Sequence, residues 1–146
     1  MKIKKQIVSF ESSAQLEGID ITEKVRDVVD ASGIREGSVL IFSSHTTLSL
    51  VINHNEPMLM QDFMSLLYRL VPVDDNYAHD MFELKKGIRS DGRSNGHAHC
   101  KAMLLPSSQM IPIEKGHMLL SPQQSILAVE LDGSRKREII VHVTGI

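Results

Sequence analysis

Two histidines, His97 and His99, lie one residue apart beside Cys100, the only cysteine of the chain, in the stretch SNGHAHCKA. Imidazole and thiolate groups are ligands that zinc prefers, and a cysteine near a histidine is also the composition of a nucleophilic pair. Which chemistry is available depends on the backbone. A strand would place both histidines on one face, whereas a helix would turn them about 200° apart.

The composition of this stretch favours a helix over a strand. Residues 97–105 have no β-branched residue, and they contain alanine, leucine, methionine and lysine, which are good helix formers. Asn95 is a suitable N-cap, and Pro106 ends the run. In a helix one metal ion cannot take both histidines, so the other is predicted to be a surface or site-rim residue.

The two residues that follow His99 are predicted to take no part in the chemistry. In a helix the Cys100 side chain points about 100° away from that of His99, so no catalytic pair is implied. A small buried apolar role for the thiol is the simpler interpretation. Lys101 is predicted to be solvated.

The composition of the whole chain predicts one globular domain. It has 146 residues, of which 42% are apolar, which is enough for one core. A net charge of -2 and a pI near 6.4 give no basic field, so no nucleic-acid partner is expected. Apolar runs fall well short of the roughly 18 residues of a membrane span, and the first residues lack a signal-peptide core. A single cysteine is compatible with a reducing compartment, so we expect a cytoplasmic protein without a membrane partner.

Strand-like segments cluster at both ends of the chain, and helical segments lie between them. The predicted strands are 2–10, 37–44, 45–53, 109–113, 117–121, 124–131 and 137–143. The predicted helices are 20–33, which Gly33 can cap, 55–72, with Asn55 as N-cap, and 97–105. This order predicts an α+β fold instead of a parallel doubly wound sheet. Asp132-Gly133 indicates a turn between the last two strands.

Two carboxylates are candidate catalytic groups. The apolar stripe of helix 55–72 is predicted to be buried; its members are Leu59, Phe63, Leu66, Leu67 and Leu70. Asp62 lies at the edge of that stripe, about 80° from its centre, where it can face a cleft. Glu130 shares one strand face with Gln124 by the two-residue period. The polar loop 73–95, which contains His79, is long enough to suggest a functional role.

The order and spacing of several short pieces resemble those of the YjbQ family (UPF0047), the secondary thiamine-phosphate synthase group. The matching pieces are SSHTT at 43–47, NEP at 55–57 with Asp62 downstream, RLVP at 69–72, Tyr77 with His79, NGHAHCKA at 95–102 and ELDGSRKR at 130–137. The resemblance implies a single YjbQ-like domain over residues 1–146, with a mixed or antiparallel β-sandwich-like core and about three helices. It also implies a homotrimer, and we expect the site in the clefts between subunits.

The resemblance also implies a metal site. The recurrent histidines of the family correspond to His45, His79 and His99, which selects His99 over His97. Three neutral imidazoles suit a divalent metal, zinc in the first place, and leave a fourth position open. Asp62 can orient a ligand or serve as a base. The alternative is that these histidines only form hydrogen bonds within the fold.

A second set of residues is predicted to bind phosphate; it comprises Thr46, Thr47, Gln124, Arg135 and Arg137. Arginine forks suit phosphate oxygens, and threonine hydroxyls can add donors. The alternative is a solvated SRKR hairpin whose charges serve solubility. Separately, Glu130 is expected to pair with one of the arginines.

The function implied by the resemblance is that of a thiamine-phosphate synthase-like transferase acting on small phosphorylated molecules. Two alternatives use the same residues. One is a metal-assisted hydrolase or phosphatase, and the other is a non-catalytic metal- or phosphate-ligand-binding protein.

Overall fold

The computed structural model describes residues 1–81 and 94–146. Its strands are β1 Lys2–Glu11, β2 Glu17–Asp20, β3 Gly37–Phe42, β4 Leu48–Asn53, β5 Ser108–Glu114, β6 His117–Met118, β7 Ser125–Glu130 and β8 Lys136–Gly145. Its helices are α1 Thr22–Ser32, α2 Pro57–Leu70 and α3 Gly96–Leu104, and residues 78–81 are also helical. Residues 82–93 of the predicted polar loop lie outside the described residues.

The strands form two antiparallel sheets. The larger sheet has the order β1-β8-β3-β5-β6, and the smaller has the order β2-β7-β4. Each strand pair is antiparallel, which confirms the predicted α+β class with a sandwich-like antiparallel core. Apolar side chains of both sheets and of α1 form one buried cluster, which includes Val25, Ile41, Leu50, Ile126 and Val141.

Helix α1 forms where the spacing predicts it. Val25, Val28 and Val29 are at most 1% exposed, because they recur on the face that packs on the core. Gly33 ends the helix in the left-handed conformation, with φ of 67°, which a residue without a Cβ adopts at low strain. The predicted helix and its C-terminal glycine are both confirmed.

Helix α2 forms, but its predicted burial is wrong. Of the predicted stripe only Leu67 is buried, while Leu66 and Leu70 are 43% and 61% exposed. The N-cap is Glu56 instead of Asn55: the Glu56 carboxylate accepts from Met58 N at 2.9 Å and Leu59 N at 2.8 Å. An apolar face of α2 therefore lies uncovered in the single chain.

The predicted turn at Asp132-Gly133 does not close a hairpin, because β7 and β8 belong to different sheets. The segment carries the chain from the smaller sheet to the larger one. A Cβ on Gly133 would lie 2.2 Å from Ala14 O, so the glycine is needed for close approach to the β1–β2 connection.

The strand predicted from residue 45 begins only at Leu48. Residues 43–47 instead form the link between β3 and β4. His45 and Thr47 are therefore positioned by this link and not by a strand.

Candidate functional site

Helix α3 confirms the helical interpretation of SNGHAHCKA and begins with an unusual cap. Asn95 occupies the N-cap position, but its side-chain amide donates to Asp132 Oδ2 at 3.0 Å instead of capping the helix. The cap acceptor is Asp80 Oδ1, which accepts from Asn95 N at 3.2 Å and from Gly96 N at 2.9 Å. The segment around Asp80 therefore docks on the first turn of α3.

The close approach of this segment requires a glycine at the start of α3. A Cβ on Gly96 would lie 2.5 Å from Tyr77 Cβ, closer than two carbons can pack. The Tyr77 hydroxyl donates to Pro72 O at 2.5 Å, which fixes the ring against α3. Two pieces that are distant in sequence, Tyr77 with His79 and NGHAHCKA, therefore meet.

The consequence of this docking is a histidine pair. The rings of His79 and His99 lie edge to face, with centroids 4.6 Å apart and planes 70° apart. Both side chains are half-buried. Two of the three predicted metal ligands are thus adjacent.

His97 and Lys101 lie on the inner face of α3, since they are one helical turn apart. Both are 0% exposed, and Lys101 Nζ lies 2.7 Å from His97 Nδ1. His97 Nε2 lies 3.3 Å from the side-chain amide of Gln15. Burial lowers the pKa of Lys101, and burial followed by the Lys101 charge lowers the pKa of His97.

Three predictions for this helix are therefore wrong. His97 is a buried residue and not a rim residue, Lys101 is buried and not solvated, and Cys100 is exposed and not buried. The physical reason is the rotation of α3 about its axis, which is set by its contacts with Asp80 and Asp132 and is not encoded in the helical period.

His45 forms a hydrogen bond that competes with metal binding. Its Nε2 accepts from Glu138 N at 3.1 Å, so the neutral ring carries its proton on Nδ1. Burial, followed by the charge of Arg137, lowers the pKa of His45, which favours this neutral form. Glu138 lies two residues before Ile140, where the pairing of β8 with β3 ends. His45 therefore supplies an acceptor just beyond the end of that ladder.

The residues of one chain do not complete the predicted three-histidine site. Within residues 1–81 and 94–146, no group of three or more histidine, cysteine, aspartate or glutamate side chains is placed to hold a metal ion. His79 and His99 are adjacent, whereas His45 Nε2 accepts a hydrogen bond from Glu138 N. The metal role of the three histidines stays a prediction.

A buried network surrounds Glu130, which is 0% exposed. Arg137 approaches it with Nε at 2.8 Å from Oε1 and a terminal nitrogen at 2.5 Å from Oε2. Ser12 Oγ donates to Oε1 at 2.6 Å, and the amides of Leu131 and Asp132 donate to Oε2 at 2.9 and 3.1 Å. Burial alone would raise the pKa of Glu130, but hydrogen bonds from Arg137 and Ser12 hold it below its ordinary value.

Two residues of the predicted phosphate set belong to this network. Arg137 is 2% exposed, and it also donates to Thr47 Oγ1 at 2.8 Å. The structure therefore joins Thr47, Arg137 and Glu130. The expected pairing of Glu130 with one arginine is confirmed, whereas the solvated-hairpin alternative is wrong for Arg137, which is buried. The catalytic role of Glu130 and the phosphate roles of Thr47 and Arg137 stay predictions.

Arg135 is the more accessible arginine, with its side chain 40% exposed. Its Nε donates to Asp132 O at 2.8 Å, and a terminal nitrogen donates to Asp132 Oδ2 at 2.9 Å. The same carboxylate accepts from Asn95 at the start of α3. Asp132 thus links the one half-exposed guanidinium of the SRKR segment to the helix that carries His99.

The remaining predicted residues are exposed: Asp62 on α2, Thr46 in the link, and Gln124. Gln124 Oε1 accepts from Ser121 N at 3.0 Å and closes a local turn. Between described residues, no hydrogen bond joins Asp62 or Gln124 to the histidine pair or to Arg135. Their functional roles stay predictions.

Sequence reasoning missed two residues of the site region, Asp80 and Lys101. Asp80 follows His79 directly, and Lys101 is four residues after His97, a spacing that allows contact on one helix face. Neither the adjacency of Asp80 to His79 nor the four-residue spacing of Lys101 from His97 is a specific signal, because the contacts of both residues depend on which elements pack together.

Comparisons with known proteins agree with this fold. The family described as UPF0047 protein YjbQ-like matches residues 6–146. A UPF0047 protein of Methanothermobacter thermautotrophicus is 39% identical over 99% of this chain and 94% of its own length. A crystal structure of a YbjQ-like protein from Sulfolobus solfataricus has a TM-score of 0.89 and 30% identity, and covers 99% of both chains. A YjbQ/UPF0047 structure from Clostridium acetobutylicum has a TM-score of 0.83 and 34% identity, and covers 95% of this chain and 99% of its own.

The two antiparallel sheets with their helices define an α+β class that these solved relatives share. The chain belongs to the UPF0047 (YjbQ-like) family. Among the described residues no helix is both long and apolar enough to cross a membrane.

Proposed function

We propose that this protein is a small-molecule enzyme that acts on a phosphorylated substrate at the His79–His99 pair. The observation that carries the proposal is the contact between these two half-buried rings, whose centroids lie 4.6 Å apart. His99 lies on α3, and the N-cap residue of this helix, Asn95, is linked through Asp132 to Arg135. Imidazole nitrogens and a half-exposed guanidinium are groups that bind phosphate oxygens.

The finer proposal is the reaction that the family resemblance implies, the synthesis of thiamine phosphate. The nitrogen of a thiazole phosphate attacks the methylene carbon of a pyrophosphorylated pyrimidine. The C–N bond forms as the C–O bond to pyrophosphate breaks, and pyrophosphate leaves with the electron pair. In this scheme Arg135 binds phosphate oxygens, and the histidine pair orients the second anionic group.

A divalent metal, zinc in the first place, is the proposed cofactor. His79 and His99 would be ligands, and His45 is the proposed third if its bond to Glu138 opens. A bound metal would supply positive charge that stabilises a phosphate-bearing leaving group. No step is assigned to it, because the described part of one chain provides only the two adjacent imidazoles.

We also propose that the protein is a cytoplasmic homotrimer. The support for self-association is the uncovered apolar face of α2, where Leu66 and Leu70 are 43% and 61% exposed. A large exposed apolar surface usually marks an interaction site.

The metal part of the proposal is tested by metal content in matched histidine variants. After zinc loading and gel filtration, His99→Ala and His79→Ala should each lose most bound zinc measured by mass spectrometry. His117→Ala, which alters an exposed histidine on β6, should retain it. Full retention of zinc in His99→Ala would remove the histidine metal site.

The reaction is tested by pyrophosphate release from a pyrophosphorylated pyrimidine, with and without thiazole phosphate. Release that requires both substrates, and is lost in His99→Ala, supports the synthase reaction. Release without thiazole phosphate indicates a hydrolase. Thermal stabilisation by substrate without any turnover indicates a binding protein and contradicts the enzyme proposal.

A further inference from the structure

We propose that Asp80 is a positioning residue that sets the geometry of the His79–His99 pair by capping α3 from outside the helix. The inference rests on the proposed function, because it concerns the same pair. It adds a residue that neither the family match nor the motif spacing assigns.

The residue at the N-cap position of α3 does not cap the helix. A helix leaves its first backbone amides without partners, and a side chain at the N-cap position normally accepts from them. Asn95 holds that position, but its side chain is committed to Asp132 at 3.0 Å. The amides of Asn95 and Gly96 bond instead to Asp80 Oδ1, at 3.2 and 2.9 Å.

Asp80 lies between His79 and the start of α3, and it joins the two. Asp80 follows His79 directly, and His99 lies on the first turn of the helix that Asp80 caps. The carboxylate is therefore one residue from one ring and one helical turn from the other. A change in its bond to Gly96 N must change the separation of the two rings.

The contact between Tyr77 and Gly96 also holds this segment against α3. The absence of a Cβ on Gly96 lets Tyr77 pack at a distance that any larger residue would prevent, since a Cβ there would lie 2.5 Å from Tyr77 Cβ and 2.9 Å from Tyr77 Cγ. The tyrosine ring and the Asp80 carboxylate thus hold residues 77–80 on α3 at two points. Two such contacts fix both the distance and the orientation of the segment.

The capping contact also bears on where an anion can bind. The N-terminus of a helix attracts negative charge, and free amides there are a common phosphate site. In this protein Asp80 already occupies the first amides of α3. A substrate phosphate must therefore be bound by side chains such as Arg135 and not by this helix end.

The test is proton NMR of the histidine rings in metal-free protein, where wild type should show a nuclear Overhauser effect between His79 and His99. Asp80→Ala should lose this effect while the amide signals of the two sheets stay unchanged. Asp80→Asn, which keeps an acceptor for the helix amides, should restore it. An unchanged effect in Asp80→Ala would overturn the proposal.

Gly96→Ala provides an independent variant if Asp80→Ala does not fold. It keeps the carboxylate but forces Tyr77 away, so the ring contact should also weaken. Persistence of the wild-type ring contact in Gly96→Ala would contradict the proposed docking. Asp75→Asn is the matched control and should leave the ring contact intact, because among the described residues the Asp75 carboxylate accepts from the neighbouring Asn76 amide alone, at 2.7 Å.

Zinc affinity separates this inference from the proposed function. Loss of an outer residue that orients metal ligands typically weakens metal binding by about 10–100-fold, and we expect this range for Asp80→Ala in competition with a chromophoric chelator. A wild-type protein that binds no zinc contradicts the metal proposal, while the ring contact still decides the role of Asp80. Wild-type zinc affinity in an Asp80→Ala protein would contradict the positioning role.

Discussion

Glu130 and Arg137 show what a single buried ion pair does in this molecule. Glu130 ends β7 in the smaller sheet, and Arg137 lies at the start of β8 in the larger sheet. Their bidentate contact spans the crossing segment between the sheets, and both side chains are at most 2% exposed. Such a pair adds little net stability over an apolar pair of similar shape, but the removal of one partner leaves a buried charge uncompensated.

We therefore expect Glu130→Gln to lower the free energy of unfolding by about 3–5 kcal/mol. The neutral amide cannot accept from all five donors, and Arg137 would remain buried without a counter-charge. Urea denaturation at neutral pH measures the change. Glu138→Gln, which alters an exposed glutamate on β8, is the control and should change stability far less; equal losses in both would contradict the argument.

The same variant should change the acid dependence of stability. The folded pKa of Glu130 lies below its ordinary value of 4.5, so its ionised form is favoured by folding. This contribution is present above pH 4.5 and is lost as pH falls below that value through the folded pKa. Wild type should therefore lose stability over this window more steeply than Glu130→Gln, as measured by urea midpoints at a series of acidic pH values. Parallel profiles would show that Glu130 is not the titrating group.

The residue scale is also where prediction from sequence is weakest. The helical period separates His97 from His99, and this part is confirmed. It cannot show that His97 and Lys101 face the interior, since the period fixes relative directions and tertiary contacts fix the absolute rotation. The pairing of His79 with His99 likewise depends on the Asp80 cap, which joins residues 15 or 16 apart along the chain.

At the scale of elements, helix ends show where backbone conformation dictates residue type. Gly33 closes α1 with φ of 67°, and a Cβ there would meet only Lys2 Nζ at 4.0 Å. A substitution at this site therefore tests conformational strain without a steric clash.

Gly33→Ala should lower the free energy of unfolding by about 1–2 kcal/mol, the penalty for an L-residue in the left-handed region. Thermal and urea unfolding measure it. Gly18→Ala is the control, because among the described residues its new Cβ meets the ends of two flexible side chains, Met60 Sδ at 3.1 Å and Met64 Cε at 3.9 Å, and its φ is not in that region. A loss in Gly18→Ala as large as that in Gly33→Ala would contradict the strain argument.

Whether a segment is a helix or a strand followed from local residue patterns, whereas the elements that it packs against did not. Valine spacing and a terminal glycine predict α1, and alternating residues predict most of the strands. The Asp132-Gly133 pair indicates a reversal of direction, but only the strand order of the two sheets shows that the chain changes sheets there. The burial of Leu66 and Leu70 was predicted from their spacing, which cannot distinguish a face covered by the same chain from one left for another copy.

At the scale of the whole molecule, the uncovered apolar side chains predict association. Leu66 and Leu70 lie one turn apart on α2 and are 43% and 61% exposed, and exposed apolar surface of this kind marks an interaction site. We expect light scattering at micromolar concentration to give the mass of a trimer.

Leu70→Glu should shift that mass towards the monomer, because it places a charge in the apolar contact. Met110→Glu, which alters a residue 65% exposed on β5, is the matched control and should keep the wild-type mass. A stable monomer in the wild-type protein would contradict the trimer.

The position of β8 has a consequence for biosynthesis. This strand is the last of the chain, yet it lies between β1 and β3 and pairs with both. While the chain emerges from the ribosome, β1 therefore has no neighbour in its sheet, and β3 has one open edge until residues 136–145 have been made. Unpaired strand edges attract other chains. Until that segment has been made, nascent molecules of this protein are thus exposed to association with each other through β1 and β3.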